Sequence, residues 1–329
     1  MSNTPVLKRL CNIGIGKETT RGTAVSPSMW LQATDWDFQD QAEVIKTERT
    51  FGRQEAYKDQ IVSKKWSEGQ VSMEVLDQTA GYFLLGAFGS VSSAEDADDA
   101  GVYHHAFSIS QTAQNPSFTI VEKRGALETL QYSNTVVSSL DFDFTVGDYC
   151  KMTANLKGKN GASTSATPSY ANEHVFVSKN VGVKLADDYA DIGTADNICV
   201  QGLTLSINNN PFDVDCLGYD TPKDFLKSQV EITGTINMIF HDTDQRDMAL
   251  QNLAKAMRIT IEDTNSTIGT SSHPALVIDL PLVKFESQGI SGGANDYLTI
   301  SLNFTGYYDL TGGVEKAISA VLTNTTASY

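Results

Sequence analysis

The sequence contains the same structural phrase twice, and that repetition limits what it can fold into more than any other feature. A strand-like run, Val71-Ser72-Met73-Glu74-Val75-Leu76-Asp77, leads into a helix-like stretch and returns as Ile236-Asn237-Met238-Ile239-Phe240-His241-Asp242, 165 residues later. A closing strand from Asp148-Tyr149 through Gly158 returns from Asp296-Tyr297 through Gly306, 148 residues later. The order of elements is kept while the spacing drifts, as two copies with different loop lengths require. At 329 residues there is room for two ordinary domains, each with its own core. We therefore expect a first module over 1–157, a linker over 158–172 and a second module over 173–329. The linker assignment rests on the small, polar composition between Gly158 and Asn172.

Period-two alternation dominates elsewhere. In Leu140-Asp141-Phe142-Asp143-Phe144 the apolar residues share one parity and the acids the other, which is a half-buried strand. Leu203–Ile207, Val230–Ile236 and Leu298–Phe304 follow the same rule, marking antiparallel sheet with one packed side. Each module should carry one helix. The first runs from Thr79 to Phe88, with Asp77 as N-cap and Gly89 past its end. The second runs from Gln245 to Arg258, capped by Asp242 or Thr243, with Leu253 and Met257 on its apolar stripe. Ser90 to Ala100 reads as an acidic loop. The fold class is mostly β, α+β: two tandem β-sandwich modules with one helix each.

The chemical signals do not assemble into a catalytic site. Gly289-Ile290-Ser291-Gly292-Gly293 matches G-x-S-x-G, but that elbow needs a helix after it and a strand follows here, so the glycines should form a loop between strands. Gly14-Ile15-Gly16-Lys17 hints at a phosphate loop, yet Cys11 and Glu18 occupy the positions where glycine and Ser/Thr are required. His104 and His105 are adjacent, so on a strand their rings face opposite sides. The paired acids Asp35/Asp37, Asp141/Asp143 and Asp213/Asp215 read as solvated strand faces. We expect no enzyme activity, no cofactor and no metal. Cys11, Cys150, Cys199 and Cys216 form no C-x-x-C pair and should be buried free thiols. No apolar run approaches a membrane span, and no apolar core follows Lys8 and Arg9 as a signal peptide requires. A net charge of −16 argues against a protein that grips nucleic acid phosphates, but suits a surface past which DNA slides.

The opening Gly16-Lys17-Glu18, then Gly22-Thr23-Ala24 and Trp30-Leu31, resembles the start of long-tailed bacteriophage (siphophage) tail tube, or major tail, proteins, in which such a run precedes the first strand. The resemblance extends to the order of parts along the whole chain. It implies a structural virion subunit: rings, hexameric or from three fused double modules, whose inner sheets join into one continuous barrel. Stacked rings would form the DNA conduit, assembled in host cytoplasm around a tape-measure protein and bounded by tail terminator and distal tail proteins. Four strands per module would give three chains about twenty-four, a backbone diameter near 45–50 Å, and after side chains a lumen of roughly 35–40 Å. On this reading Asp141 and Asp143 face the lumen. The polar excursion from Glu43 to Lys65 has six basic and four acidic residues, whereas Asn208 to Ser228 has two and four. Lys46, Arg49, Arg53 and Lys58 are thus expected to make inter-ring or inter-subunit contacts, as are Asp213, Asp215 and Asp220. The open alternatives are a tandem β-sandwich binding or adhesion module, which predicts an exposed aromatic platform, an enzyme on a β scaffold, and a tube subunit of a secretion or contractile system.

Overall fold

A computed structural model describes residues 5–294, 296–311 and 314–329. The first half contains β1 (Asn12–Lys17), β2 (Met29–Leu31), β3 (Ala33–Trp36), β4 (Gln39–Lys46), β5 (Gln60–Glu74), α1 (Thr79–Phe88), β6 (Gly89–Glu95), β7 (Tyr103–Ile109), β8 (Phe118–Arg124), β9 (Glu128–Thr145) and β10 (Lys151–Gly158). After a two-residue strand, β11 (Ala162–Ser163), the second half contains β12 (Val181–Ala186), β13 (Val200–Asn208), β14 (Phe212–Val214), β15 (Asp224–Leu226), β16 (Glu231–Ile239), α2 (Thr243–Leu250), β17 (Ala254–Glu262), β18 (Ala275–Ser291), β19 (Thr299–Gly306) and β20 (Ser319–Asn324).

The duplication holds at the level of single residue pairs. In the first half β5 pairs with β10 through Val71↔Ala154 and Gly69↔Leu156; in the second, β16 pairs with β19 through Ile236↔Leu302 and Gly234↔Phe304. Both copies also keep their irregularities. The edge strand shifts register between Ala33 and Asp35 in one copy and between Val200 and Gly202 in the other. A further shift lies at Asn155/Leu156 and, correspondingly, between Phe285 and Ser287. Bulges re-aim side chains and bend the strand, so keeping them preserves sheet curvature. Gly234 shows why the sequence kept a glycine: a Cβ there would lie 2.2 Å from the Thr204 carbonyl and 2.4 Å from the Phe304 ring. Gly69 is crowded in the same way, by the backbone of Asp37 and Phe38.

The two four-stranded units join edge to edge. The C-terminal half of β9 pairs with β13, as in Phe142↔Leu205 and Leu140↔Ile207. The result is one eight-stranded run, β3/β4–β5–β10–β9–β13–β16–β19–β18. Its apolar face is covered by two outer sheets, β2–β1–β8–β9–β11 and β12–β17–β18–β20–β7–β6, with the long strands β9 and β18 passing between inner and outer layers. This is a β-sandwich-like arrangement in which no sheet among the described residues closes into a barrel. One hydrophobic core runs through both halves. The halves also exchange material, because β20 from the end of the chain pairs with β7.

The helices correct the expectation in two places. All ten residues of α1 are buried, because it lies inside the sandwich and is apolar all round. Gly89 ends it in the left-handed conformation, as read. Its N-cap is not Asp77: the Thr79 N–H donates at 2.6 Å to Glu173, which lies 94 residues downstream. Asp77 turns away and accepts the His174 N–H at 2.8 Å. The second helix does begin after Asp242, whose side chain accepts the Asp244 N–H, but it stops at Leu250. Ala254–Arg258 are strand, so Leu253 and Met257 belong to no helical stripe; Ala256, Met257, Ile259 and Ile261 are buried in β17. The β-branched run beyond Arg258 and pairing with β18 outweigh a short helical periodicity. Ser90–Glu95 is likewise strand rather than loop, leaving Asp96–Ala100 as the turn.

Asp77 yields a pH prediction. It is fully buried, and its Oδ2 has no hydrogen-bond partner among the described residues. Burial raises its pKa above the usual carboxylate value, against the lowering effect of the His174 N–H. A raised folded pKa means that stability is fully present below the unfolded value and is lost as pH rises through the folded one. Asp77→Asn should therefore match the wild type near pH 4 and melt higher at pH 7, with the gap widening as pH rises. Thermal melts at several pH values test this; a gap independent of pH refutes it.

Candidate functional site

The uncovered face of the eight-stranded run is polar, and strand alternation dictates which residues reach it. Asp35, Asp37, Gln70, Asp141, Asp143, Thr153 and Asn155 come from the first half; Thr204, Ser206, Thr233, Thr235 and Asn303 come from the second. Asp141 and Asp143 thus lie on this face, with Phe142 and Phe144 buried behind it. Asp141 accepts from Ser206 at 2.5 Å and from Asn155 at 3.0 Å, so it bridges the two halves. Asp143 accepts from Thr145 at 3.0 Å. The second half adds Glu286 to this face beside hydroxyls and amides such as Thr235 and Asn303, which lie 2.8 Å apart.

Both ends of the run are open. Beyond Lys284 the second side of β18 carries no strand among the described residues, and β3/β4 pairs only with β5. Unpaired edges recruit another strand. Ile290, at the place in β18 that Phe142 occupies in β9, is 45% exposed. Phe142 is buried because β13 covers it.

The two polar excursions behave differently. Beyond the last β10 rung, Gly158↔Ser67, strands β4 and β5 continue as a hairpin arm to Lys46↔Gln60. Val44, Ile45, Phe51, Tyr57, Ile61 and Val62 are exposed on it. Lys46 stacks over Tyr57, and Arg49, Arg53 and Lys58 make no ion pair among the described residues. The second excursion folds back on its own chain. Asp213 pairs with Lys64 at 2.6 Å and Lys157 at 2.7 Å, Asp215 with Lys64 at 2.8 Å, and Asp220 with Lys65 at 3.4 Å. The Lys157 and Lys64 ammonium groups hold the Asp213 carboxyl below its ordinary range even though burial pushes it upward. Arg21 fastens the same hairpin through Asp224 at 2.7 Å and the Asn115 carbonyl at 2.6 Å.

Arg21 belongs to the opening motif, whose role is visible here. Gly14–Lys17 is the first strand itself, and a Cβ on Gly16 would meet the Ser26 carbonyl at 2.6 Å. The motif therefore does not precede that strand and cradles no phosphate. Glu18 is buried and accepts from the Gly22 N–H (2.7 Å), the Ser117 hydroxyl (2.5 Å), the Thr119 hydroxyl (3.0 Å) and the Asn134 N–H (2.8 Å). The Lys-Glu…Gly-Thr-Ala run is thus a corner that knits β1, β8 and β9 together.

A family model described as phage tail tube protein matches residues 9–306. The chain belongs to the phage tail tube protein family. Tail tube proteins are structural components of the virion tail, and they associate with themselves into a tube. No curated protein matches the chain.

For a tail tube protein, the remaining sequence signals find structural places. Gly289–Ser291 of the G-x-S-x-G match lies within β18 rather than in a loop; only Gly292 and Gly293 leave the strand. His104 contacts Asp96 and Thr323, whereas His105 contacts Ser93 and Asn324. All four cysteines are free, but only Cys150 is buried; Cys199 is exposed, correcting the expectation. Burial pushes the Cys150 thiol up to about 12, which leaves it unreactive. Trp30 and Trp36 are buried. No helix among the described residues is long and apolar enough to cross a membrane. What sequence reasoning missed is the pair of open edges and the apolar flanks of the arm. The signal was present in Val44-Ile45 and Ile61-Val62, adjacent apolar pairs that alternation cannot bury on one face.

Proposed function

We propose that three copies form a pseudo-hexameric ring, and that stacked rings make a siphophage tail tube through which double-stranded DNA passes without specific binding. The observation carrying this is the internal β9–β13 junction between near-equivalent modules. Repeating that junction between copies sets the free edge of β18 against β3/β4 of the next. Carried over rung by rung, Asp143↔Thr204 becomes Ser291↔Asp37, and Phe142↔Leu205 becomes Ile290↔Phe38. Eight strands per chain then close at twenty-four, with a lumen of roughly 35–40 Å against a duplex about 20 Å across. The polar face becomes the lumen wall, with Asp141 and Asp143 repelling phosphates. The tape-measure protein would occupy this lumen during assembly, and terminator and distal tail proteins would meet the end rings. The modules 1–157 and 173–329 are the wall units, and 158–172 is the connection between them. Negative-stain microscopy of the purified protein tests the reading: hollow tubes or three-copy rings support it, and dispersed monomers at all concentrations refute it.

A further inference from the structure

The end of the sandwich nearest the arm is finished differently in the two halves. In the first half the second hairpin lies across it: Phe225 is fully buried there, the Lys157 ammonium lies 5.9 Å from its ring, and Arg21 fastens Asp224. No hairpin covers the corresponding end of the second half among the described residues. What remains is an open cavity of about 650 Å³, walled by the end of β7 and the turn after it, the approach to β16 and the end of β19. Small-molecule sites occupy roughly 300–1,000 Å³.

Lys227 is the only charged side chain lining it among the described residues. Its ammonium donates to the Ser110 carbonyl at 3.2 Å, and its other N–H groups have neither an acceptor nor a carboxylate partner among the described residues. Burial pushes its pKa down, and no acid acts to raise it. The acids that border the cavity are engaged by its walls: Glu231 accepts from Gln229 at 2.7 Å and Glu286 from Tyr307 at 3.3 Å. Gln114 holds the Lys227 backbone from both sides. Its Oε1 accepts the Lys227 N–H at 2.7 Å and its Nε2 donates to the Lys227 carbonyl at 3.4 Å, so the lysine is placed before any ligand arrives. Tyr307 and Tyr308 add partly exposed rings to the same wall as the Gln111 amide.

We propose that this cavity binds a small anion, a phosphate or carboxylate, with its charge on Lys227 and any attached sugar-sized body against Tyr308 and Gln111. A half-buried ammonium without a counter-charge is costly, and an anion seated there offsets that cost while taking up the free N–H groups. A net charge of −16 repels anions from most of the chain, so an unpaired cation inside a cavity is what selects this place. The inference stands apart from the ring reading, because the cavity is complete within one chain.

Isothermal titration calorimetry with inorganic phosphate, glucose 6-phosphate and glucose tests it. The wild type should bind both phosphates saturably and glucose at least about tenfold more weakly. Lys227→Met should weaken phosphate binding at least about tenfold, whereas Lys227→Arg should retain most of it. Without anion, Lys227→Met should melt no lower than the wild type, since it removes an unpaired half-buried charge, and this separates lost binding from misfolding. Phosphate should raise the melting temperature of the wild type and leave that of Lys227→Met unchanged. Glucose 6-phosphate binding more tightly than inorganic phosphate supports the site with a sugar on the Tyr308 wall; equal affinities support it as a site for the free anion. No saturable binding of either phosphate by the wild type, or equal binding by Lys227→Met, overturns the proposal.

Discussion

Ile290→Asp should abolish ring formation while leaving the subunit folded. In the isolated chain Ile290 is partly exposed at a free edge, so the substitution should cost about 0.5 kcal/mol or less of stability. In the ring its side chain would sit against Phe38 of the neighbour, in the setting that buries Phe142 against Leu205. A carboxylate there has no partner, and burying it costs several kcal/mol. In the proposed three-copy ring three identical junctions would have to form, so the loss would be felt three times over. The dissociation constant of each junction should rise by at least about a hundredfold. Sedimentation velocity and microscopy decide the matter: normal rings with Ile290→Asp would show that closure does not use this edge.

Tyr329→Ala should produce the largest loss of stability. The last residue of the chain closes the sandwich from the opposite half. Its ring lies against α1 at Gly81, where a Cβ would come within 2.1 Å of it. It packs edge-on to Tyr82 and His105, at 5.2 and 4.8 Å between ring centres. Its hydroxyl donates to the Gln78 carbonyl at 2.8 Å and accepts from Asn324 at 2.6 Å. Truncation leaves a ring-sized cavity and should cost about 3–5 kcal/mol. Tyr329→Phe keeps the packing but removes the acceptor of one Asn324 N–H, the amide still donating to the Asp77 carbonyl, and should cost about 1–3 kcal/mol. Chemical denaturation measures both; equal, small effects would show that the chain end contributes little to holding the two halves together. Since β20 also pairs with β7, the Ala variant should lower the protection of β7 amides from hydrogen exchange before that of β16.

Legibility followed the range of the interaction that sets each feature. Alternation placed Leu140, Phe142 and Phe144 on one side and Asp141 and Asp143 on the other, because successive side chains of a strand alternate regardless of what the strand pairs with. The repeat gave the correspondence Val71 to Ile236, and residue pairs in the sheet follow it down to the bulges. The α1 helix and its glycine stop were equally local. The failures are long-range. Glu173 caps α1 from 94 residues away, and Lys64 takes the charge of Asp213 from 149 away. The helical stripe through Met257 lost to strand pairing with Leu280 of β18.

By itself, the sequence determined that this is a duplicated, mostly antiparallel sheet protein with one acidic polar face, because side-chain period and turn chemistry act over a few residues. Only the tertiary structure decided which edges stay open, which of two equivalent hairpins stands free, and that the Lys-Glu…Gly-Thr-Ala corner holds the other one down. Those outcomes depend on competition among distant partners for the same backbone edge or carboxylate, and such a competition has no signature in any local stretch of chain.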